Sequence, residues 1–205
     1  MLRERNTSGA VTYRLFIRHV ERLALANLAA VVSCLLVLTA PVGLAGMLGV
    51  VEAVWRKPSR RPGWNEFAKG IRRYWKPMLA QWLLTLAVLV GGVTSLYLYG
   101  GLLEGKALWG VLVVEVIFLF LLWVLWIFAL GSAAADRARK EGRAKGGRVR
   151  LVEGFAYQAG PAFSAWLIHF VLVFSVVGLL VVGLVLPALY VLVSCTGPEN
   201  VDLAE

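Results

Sequence analysis

The stretch TAPVGLAGMLGVVEAVWRK, residues 39–57, decides how the first apolar tract folds. This tract covers residues 23–55, and it either crosses a membrane once or turns and comes back. Pro41 lacks an amide hydrogen and disrupts a helix interior, while Gly43 and Gly46 tolerate unusual backbone angles. The stretch therefore favours a helical hairpin that turns at Ala40 and Pro41, with a single crossing as the alternative.

The composition of the whole chain indicates a membrane protein. Of its 205 residues, 60% are hydrophobic, and the mean hydropathy is +0.75. About 20 apolar residues are enough to cross a bilayer core as a helix. Charge-poor tracts of at least that length occupy residues 23–55, 77–103, 107–131 and 155–196. We predict an all-α, polytopic transmembrane helix bundle of about five crossings, the first two as a proline-broken hairpin.

The tracts and the segments between them predict one transmembrane domain over residues 1–205. Its parts are a basic N-terminal segment (1–22), the helical hairpin (23–55), a basic cytoplasmic loop (56–76), a transmembrane hairpin (77–131), a second basic cytoplasmic loop (132–154), a C-terminal membrane segment (155–196) and an acidic tail (197–205). The last tract is longer than one crossing, and Pro187 divides it unevenly. One crossing with a partial segment is predicted there, and the side on which the tail lies stays open.

The 21 lysines and arginines set the orientation, because cytoplasmic loops carry an excess of positive charge. Five precede residue 23, eight lie in residues 56–76, seven lie in residues 136–150, and the last is Lys106. The hairpin places 20 of them on one side and one on the other, whereas a single first crossing divides them 15 to 6. The hairpin and a cytoplasmic N-terminus are therefore favoured. Scattered in this way, the charges do not form a nucleic-acid surface.

The basic piece GWNEFAKGIRRYWK, residues 63–76, has helical periodicity. Trp64, Phe67, Ile71 and Tyr74 recur at spacings of three or four residues. The opposite face carries Lys69, Arg72, Arg73 and Lys76. An amphipathic helix on the cytoplasmic membrane surface is predicted, with these four cations in contact with anionic lipid headgroups. The alternative is a helix packed on the protein's own loops.

No motif for catalysis or for cofactor binding is present in the sequence. It contains no phosphate loop, no zinc-protease His-Glu pattern and no nucleophile elbow. Cys34 and Cys195 are interpreted as small apolar side chains rather than as a disulfide or metal ligands. We predict a protein that is not an enzyme and has no cofactor.

Polar side chains inside the apolar tracts are the candidate site residues, because such groups are costly in a membrane. Asn27 opens the first tract, where we expect its amide to bond another helix. Glu115 and His169 lie deep in their tracts, so they either line a shared polar pathway or bond neighbouring helices. Glu52 precedes Arg56 by one helical turn and is expected to pair with it as a structural contact.

Several of these features resemble the YesL-like family of bacterial integral membrane proteins. They are Asn27 at the start of the first tract, Pro41 followed by the small residues Gly43 and Ala45, and the piece WNEFAKGIRRYWK. The resemblance covers mainly residues 23–84. It implies a multi-pass protein of the bacterial inner membrane, of poorly defined function and often linked to carbohydrate uptake, and it supplies no catalytic residues.

Two functional hypotheses follow. The first is a non-enzymatic accessory or interaction component that binds the lipid bilayer and a membrane-protein partner such as a sugar transporter. The second is a small transporter or channel in which Glu115 and His169 face one cavity.

Overall fold

The computed structural model describes residues 7–35, 39–102, 105–141, 159–173, 182–197 and residue 201. Within these ranges the chain is helical and contains no strand, so the all-α prediction is confirmed. The helices are α1 (Ser8–Leu35), α2 (Ala40–Arg56), α3 (Trp64–Leu102), α4 (Lys106–Lys140), α5 (Ala159–Val173) and α6 (Val185–Thr196). Predictions for residues 1–6, for the loop at 142–158 and for most of the acidic tail lie outside the described residues.

The chain reverses direction between α1 and α2. A Cβ atom on Gly43 of α2 would lie 2.4 Å from Cβ of Ser33, late in α1. At the other end of the pair, His19 donates a hydrogen bond from Nε2 to the carbonyl oxygen of Pro58 at 2.7 Å. The break lies before Pro41 and not at it, because Pro41 occupies the first turn of α2. An amide hydrogen is not needed there, so proline begins this helix instead of breaking it.

Helix α1 starts well before the predicted boundary. It begins at Ser8, although the sequence assigned residues 1–22 to a basic segment before the first crossing. Val11 and Leu15 are fully buried, whereas Arg14 and Arg18 are exposed. The helix therefore packs on the rest of the protein before the apolar tract begins, and its backbone departs from helical angles at His19.

Helix α3 joins two predicted elements into one. The sequence predicted a surface helix ending at Lys76 and a separate membrane helix from residue 77, but α3 continues through Pro77. Tyr74 and Met78 lie on either side of the proline, and each is only 2% exposed. The burial of these two side chains offsets the loss of the one backbone hydrogen bond that Pro77 cannot donate.

The first part of α3 packs on α2 at an unusually close crossing. A Cβ atom on Gly49 would lie 2.4 Å from Cα of Gly70 and 2.5 Å from the carbonyl oxygen of Glu66. A Cβ atom on Gly70 would lie 2.6 Å from the carbonyl oxygen of Ala45. The two backbones touch, which only glycine permits. The first part of α3, which the sequence predicted as a surface helix, is therefore packed on α2 rather than lying alone on a surface.

Helices α3 and α4 are the longest in the described chain, with 39 and 35 residues. At 1.5 Å per residue they extend over about 58 and 52 Å. The turn between them contains Gly105, whose φ of +62° is in the left-handed region that glycine favours. Both are long and apolar enough to cross a membrane. In their most apolar stretches, no residue of α3 and 17% of the residues of α4 are buried.

The last tract contributes two shorter helices. Pro187 lies in the first turn of α6, as Pro41 does in α2. Gly131 of α4 lies directly against α6, since a Cβ atom there would be 2.4 Å from Cβ of Val191. Helix α6 therefore belongs to the core, which it shares with α1, α2 and the last part of α4.

Candidate functional site

Five charged side chains meet at the end of the bundle where α2 ends, α3 begins and α4 ends. We call Glu52, Arg56, Arg73, Arg137 and Glu141 the charged cluster. Glu52 is only 2% exposed, and its two oxygens accept from Arg56 and from Nη1 of Arg73, the latter at 2.8 Å. Arg56 also bonds Oε2 of Glu141 at 2.5 Å, and Arg137 bonds the other oxygen at 3.1 Å.

Local spacing and the glycine crossing together assemble the cluster. Glu52 and Arg56 are one helical turn apart, as are Arg137 and Glu141. Glu52 lies three residues after Gly49, and Arg73 lies three residues after Gly70. The crossing at the two glycines therefore brings these opposite charges together across the helices.

Glu141 joins α4 to this cluster electrostatically. Burial alone would raise the pKa of this carboxyl, but the guanidinium groups of Arg56 and Arg137 lower it below its usual value. Glu141 is thus held in its charged form at the end of α4.

A basic cavity of about 470 Å³ adjoins the charged cluster. It is bounded by the end of α2, the loop of residues 57–63 and the first turns of α3. Its lining contains two carboxylates, Glu52 and Glu66. It also contains six cationic side chains, Arg56, Lys57, Arg60, Arg61, Lys69 and Arg73.

Only some of the cations in the basic cavity are neutralised. Glu52 is occupied by Arg56 and Arg73, while Glu66 pairs with Lys69 at 2.9 Å. In the part of the chain that the structure describes, no carboxylate pairs with Lys57, Arg60 or Arg61. The cavity is therefore electropositive, and three of its charges lack a counter-ion from the described residues.

The four cations predicted to contact lipid headgroups divide into two groups. Lys69 and Arg73 line the basic cavity and pair with Glu66 and Glu52. Arg72 and Lys76 are exposed and lie outside its lining. The structure therefore does not bring all four into one site.

Asn27 is fully buried and caps the start of α6. Its Oδ1 accepts hydrogen bonds from the backbone amides of Leu184 at 2.8 Å and Val185 at 3.1 Å. Leu184, the N-cap residue of α6, makes no side-chain cap of its own. A side chain from α1 thus satisfies amides that the first turn of a helix leaves unpaired.

Replacing Asn27 by leucine should destabilise the protein by about 2 kcal/mol, because two buried amides lose their acceptor. The measurement is denaturant unfolding of the purified protein in detergent, followed by far-ultraviolet circular dichroism. Asn27→Asp keeps an acceptor oxygen and should retain more of the stability than Asn27→Leu. Equal stability of Asn27→Leu and the unmodified protein would contradict the capping role.

His169 is bonded within the bundle. Its ring is 5% exposed and donates from Nδ1 to the carbonyl oxygen of Gly183 at 2.5 Å. Trp123 of α4 packs edge-on against the ring, with centroids 5.5 Å apart. The histidine thereby links α5 to the segment that leads into α6.

Glu115 lies in a different place, in a groove between α3 and α4. This α3–α4 groove has a volume of about 280 Å³. Its lining consists of Val88, Gly91, Gly92, Ser95, Glu115, Phe118 and Leu119. Oε2 of Glu115 is buried and has no hydrogen-bond partner. No hydrogen bond or ion pair joins Glu115 to His169, so the structure does not bring these two candidates together.

Sequence reasoning missed most of the charged cluster and all of the loop cations. The spacing of Glu52 and Arg56 was a usable signal, and they do pair. Nothing in the sequence indicates that Arg73 and Glu141 join them from other helices, because the spacing of residues does not show which helices touch. Arg60 and Arg61 were counted only as orientation signals.

Over the residues that the structure describes, the geometry defines an all-helical protein with two helices that could cross a membrane, a basic end and a largely apolar groove that contains Glu115. Comparison with known proteins finds no matching protein-family model, no matching curated protein and no matching solved structure. The resemblance to the YesL-like family stays a prediction.

Proposed function

We propose that this chain is a non-enzymatic, multi-pass protein of the bacterial inner membrane that acts as an accessory component by binding a partner membrane protein. The observation that carries the proposal is the α3–α4 groove, which presents an unpaired carboxyl oxygen among small residues. The resemblance to YesL-like proteins suggests carbohydrate uptake as the setting and a sugar transporter as the kind of partner.

Exposed apolar side chains on α3 and α4 support the membrane assignment. Both helices of this pair carry large hydrophobic residues, such as Leu84, Val93, Val114 and Ile117, each more than half exposed. Water would oppose so large an apolar surface, whereas lipid tails accept it. We propose that α3 and α4 cross fully, that α1 and α2 form shorter crossings and that residues 155–196 add the fifth.

The uneven distribution of charge supports the orientation. The charged cluster and the basic cavity lie at one end of the α3–α4 pair, and Lys106 lies at the other. Because positive charge accumulates on the cytoplasmic side, we assign the basic end to the cytoplasm.

The α3–α4 groove suits a partner's transmembrane helix. Gly91, Gly92 and Ser95 let another backbone approach closely, as small residues do in membrane helix pairs. An unbonded carboxyl oxygen is costly in an apolar setting, so a hydrogen-bond donor on the incoming helix would stabilise the complex. We propose that the occupant is an apolar helix with a hydroxyl, amide or indole donor facing Glu115.

The transporter hypothesis requires Glu115 and His169 to face one cavity. His169 is bonded to Gly183 inside the bundle, while Glu115 lines the α3–α4 groove. Because their surroundings are separate, the geometry gives more support to the interaction hypothesis.

Filling the groove should abolish partner binding without harming the fold. A Cβ atom on Gly92 or on Gly110 meets nothing within 4 Å, and only Gly92 lines the groove. We expect Gly92→Leu to reduce cross-linking to the partner at least about tenfold, the equivalent of about 1.4 kcal/mol, while Gly110→Leu leaves it unchanged.

The measurement is photo-cross-linking in native membranes from a light-reactive phenylalanine analogue at Phe118, which lines the groove. The same analogue at Phe163 of α5, which is similarly exposed, is the control. A single integral membrane protein captured from position 118, and lost with Gly92→Leu, supports the proposal. Cross-links to lipid alone, or to a second copy of this chain, contradict it.

A further inference from the structure

The basic cavity combines a definite volume with cations that the described residues leave unneutralised. Ligand sites for small molecules commonly have volumes of about 300 to 1,000 Å³, and this cavity of about 470 Å³ is in that range. Glu52 and Glu66 are already paired, so neither is available to Lys57, Arg60 or Arg61. An anion supplied from outside would complete the charge balance of the cavity.

The kind of cations indicates the kind of anion. The planar guanidinium of arginine offers paired donors that match phosphate oxygens, and Arg60 and Arg61 are adjacent in the loop. The first turn of α3 also opens on the cavity, at Gly63 and Asn65. The positive end of this 39-residue helix favours a negative group at the same place.

The loop that carries these cations is anchored to the rest of the protein. His19 of α1 bonds the carbonyl oxygen of Pro58 at 2.7 Å. Pro58 and Pro62 are both buried, and the amide of Arg60 donates to the carbonyl oxygen of Lys57 at 3.0 Å. A loop held in place loses less conformational freedom when a ligand binds, which favours binding.

We propose that the basic cavity is a binding site for a phosphate monoester, with Lys57, Arg60 and Arg61 as its principal contacts. The phosphate can belong to the headgroup of an anionic lipid or to a soluble phosphorylated molecule, because the cavity recognises the chemistry that both share. This site is distinct from the α3–α4 groove, and its occupancy requires no partner protein.

The test uses the full chain in nanodiscs of phosphatidylcholine. The lipid probe is phosphatidic acid, which carries a phosphate monoester, compared with phosphatidylglycerol, which carries a diester. The soluble probes are inorganic phosphate and glycerol phosphate. Binding is measured by isothermal titration for the soluble probes and by retention of lipid in native mass spectrometry.

Two double variants separate a specific site from general surface charge. Arg60→Gln with Arg61→Gln removes two positive charges from the cavity, and Arg72→Gln with Lys76→Gln removes two exposed charges outside its lining. We expect the first pair to weaken binding about tenfold or more, since hydrogen bonds to charged groups are among the strongest. The second pair should change it less than about twofold, because neither side chain lines the cavity and salt screens charges that lie away from the bound anion. All four positions are on the surface, so thermal unfolding should be nearly unchanged in both variants.

Each outcome decides the question. Preference for phosphatidic acid without binding of the soluble probes identifies a lipid headgroup site, while binding of the soluble probes identifies a site for free phosphorylated molecules. Equal weakening by the two double variants, or a larger effect at Arg72 and Lys76, overturns the proposal. The absence of binding by every probe overturns it as well.

Discussion

Replacing Glu52 by glutamine is expected to destabilise the protein by about 3 kcal/mol. The substitution keeps the size of the side chain and removes its charge, so Arg56 and Arg73 lose the carboxylate that joins them. The two arginine side chains are partly shielded from water, with exposures of 14% for Arg56 and 31% for Arg73. Arg56 keeps Glu141 as a partner, but Arg73 is left without a carboxylate among the described residues, and an unpaired charge in such surroundings is much more costly than at an open surface. Denaturant unfolding in detergent, followed by tryptophan fluorescence, measures the change.

The matched control is Glu66→Gln, which makes the same chemical change on the neighbouring helix. Glu66 pairs with Lys69, whose side chain is 64% exposed, so its loss should cost less than about 1 kcal/mol. The double variant Glu52→Gln with Arg73→Gln should be less destabilised than the sum of the single changes, because each change removes the other's partner. Similar stability of the Glu52 and Glu66 variants would contradict the role assigned to Glu52.

Glu52 also shows how far a sequence can predict a site. Its spacing from Arg56 predicts their contact, because an α-helix fixes which neighbours share a face. The contact of Glu52 with Arg73 and that of Arg56 with Glu141 depend on which helices pack together and at what height. The same holds for Asn27, which was expected to bond another helix, although no pattern identified Leu184 and Val185 as its partners.

The all-α class was predictable because long apolar tracts separated by charged segments favour helices, and two of the described helices are long and apolar enough to cross a membrane. The boundaries of the helices were less predictable. Because Arg14 and Arg18 are charged, the predicted start of the first helix was too late. Val11 and Leu15, which are buried and one helical turn apart, were a signal for the earlier start. Pro77 suggested a break in α3, but packing of Tyr74 and Met78 overrides a local preference that is worth about 3 kcal/mol.

Replacing Gly49 by alanine is also expected to destabilise the protein by about 3 kcal/mol. The added Cβ atom would lie 2.4 Å from Cα of Gly70 and 2.5 Å from the carbonyl oxygen of Glu66. Both contacts are backbone atoms that no change of rotamer can move, so α2 and α3 must separate. Gly91→Ala is the control, since a Cβ atom there meets nothing within 4 Å and alanine favours a helix by up to about 1 kcal/mol. Replacement by alanine should therefore lower the stability at Gly49 and raise it at Gly91. Thermal unfolding in detergent measures both changes.

Separation of α2 and α3 has a second consequence, because Glu52 and Arg73 both lie three residues beyond the crossing. Once Gly49→Ala has moved the helices apart, Gly70→Ala should cost far less than it does alone, since the contact it would violate is already lost. By the same reasoning, Arg73→Gln should lose much of its effect in a Gly49→Ala background. Full additivity in both double variants would show that the crossing neither closes this interface nor assembles the charged cluster. Strong non-additivity would show that two glycines hold Glu52 and Arg73 in position.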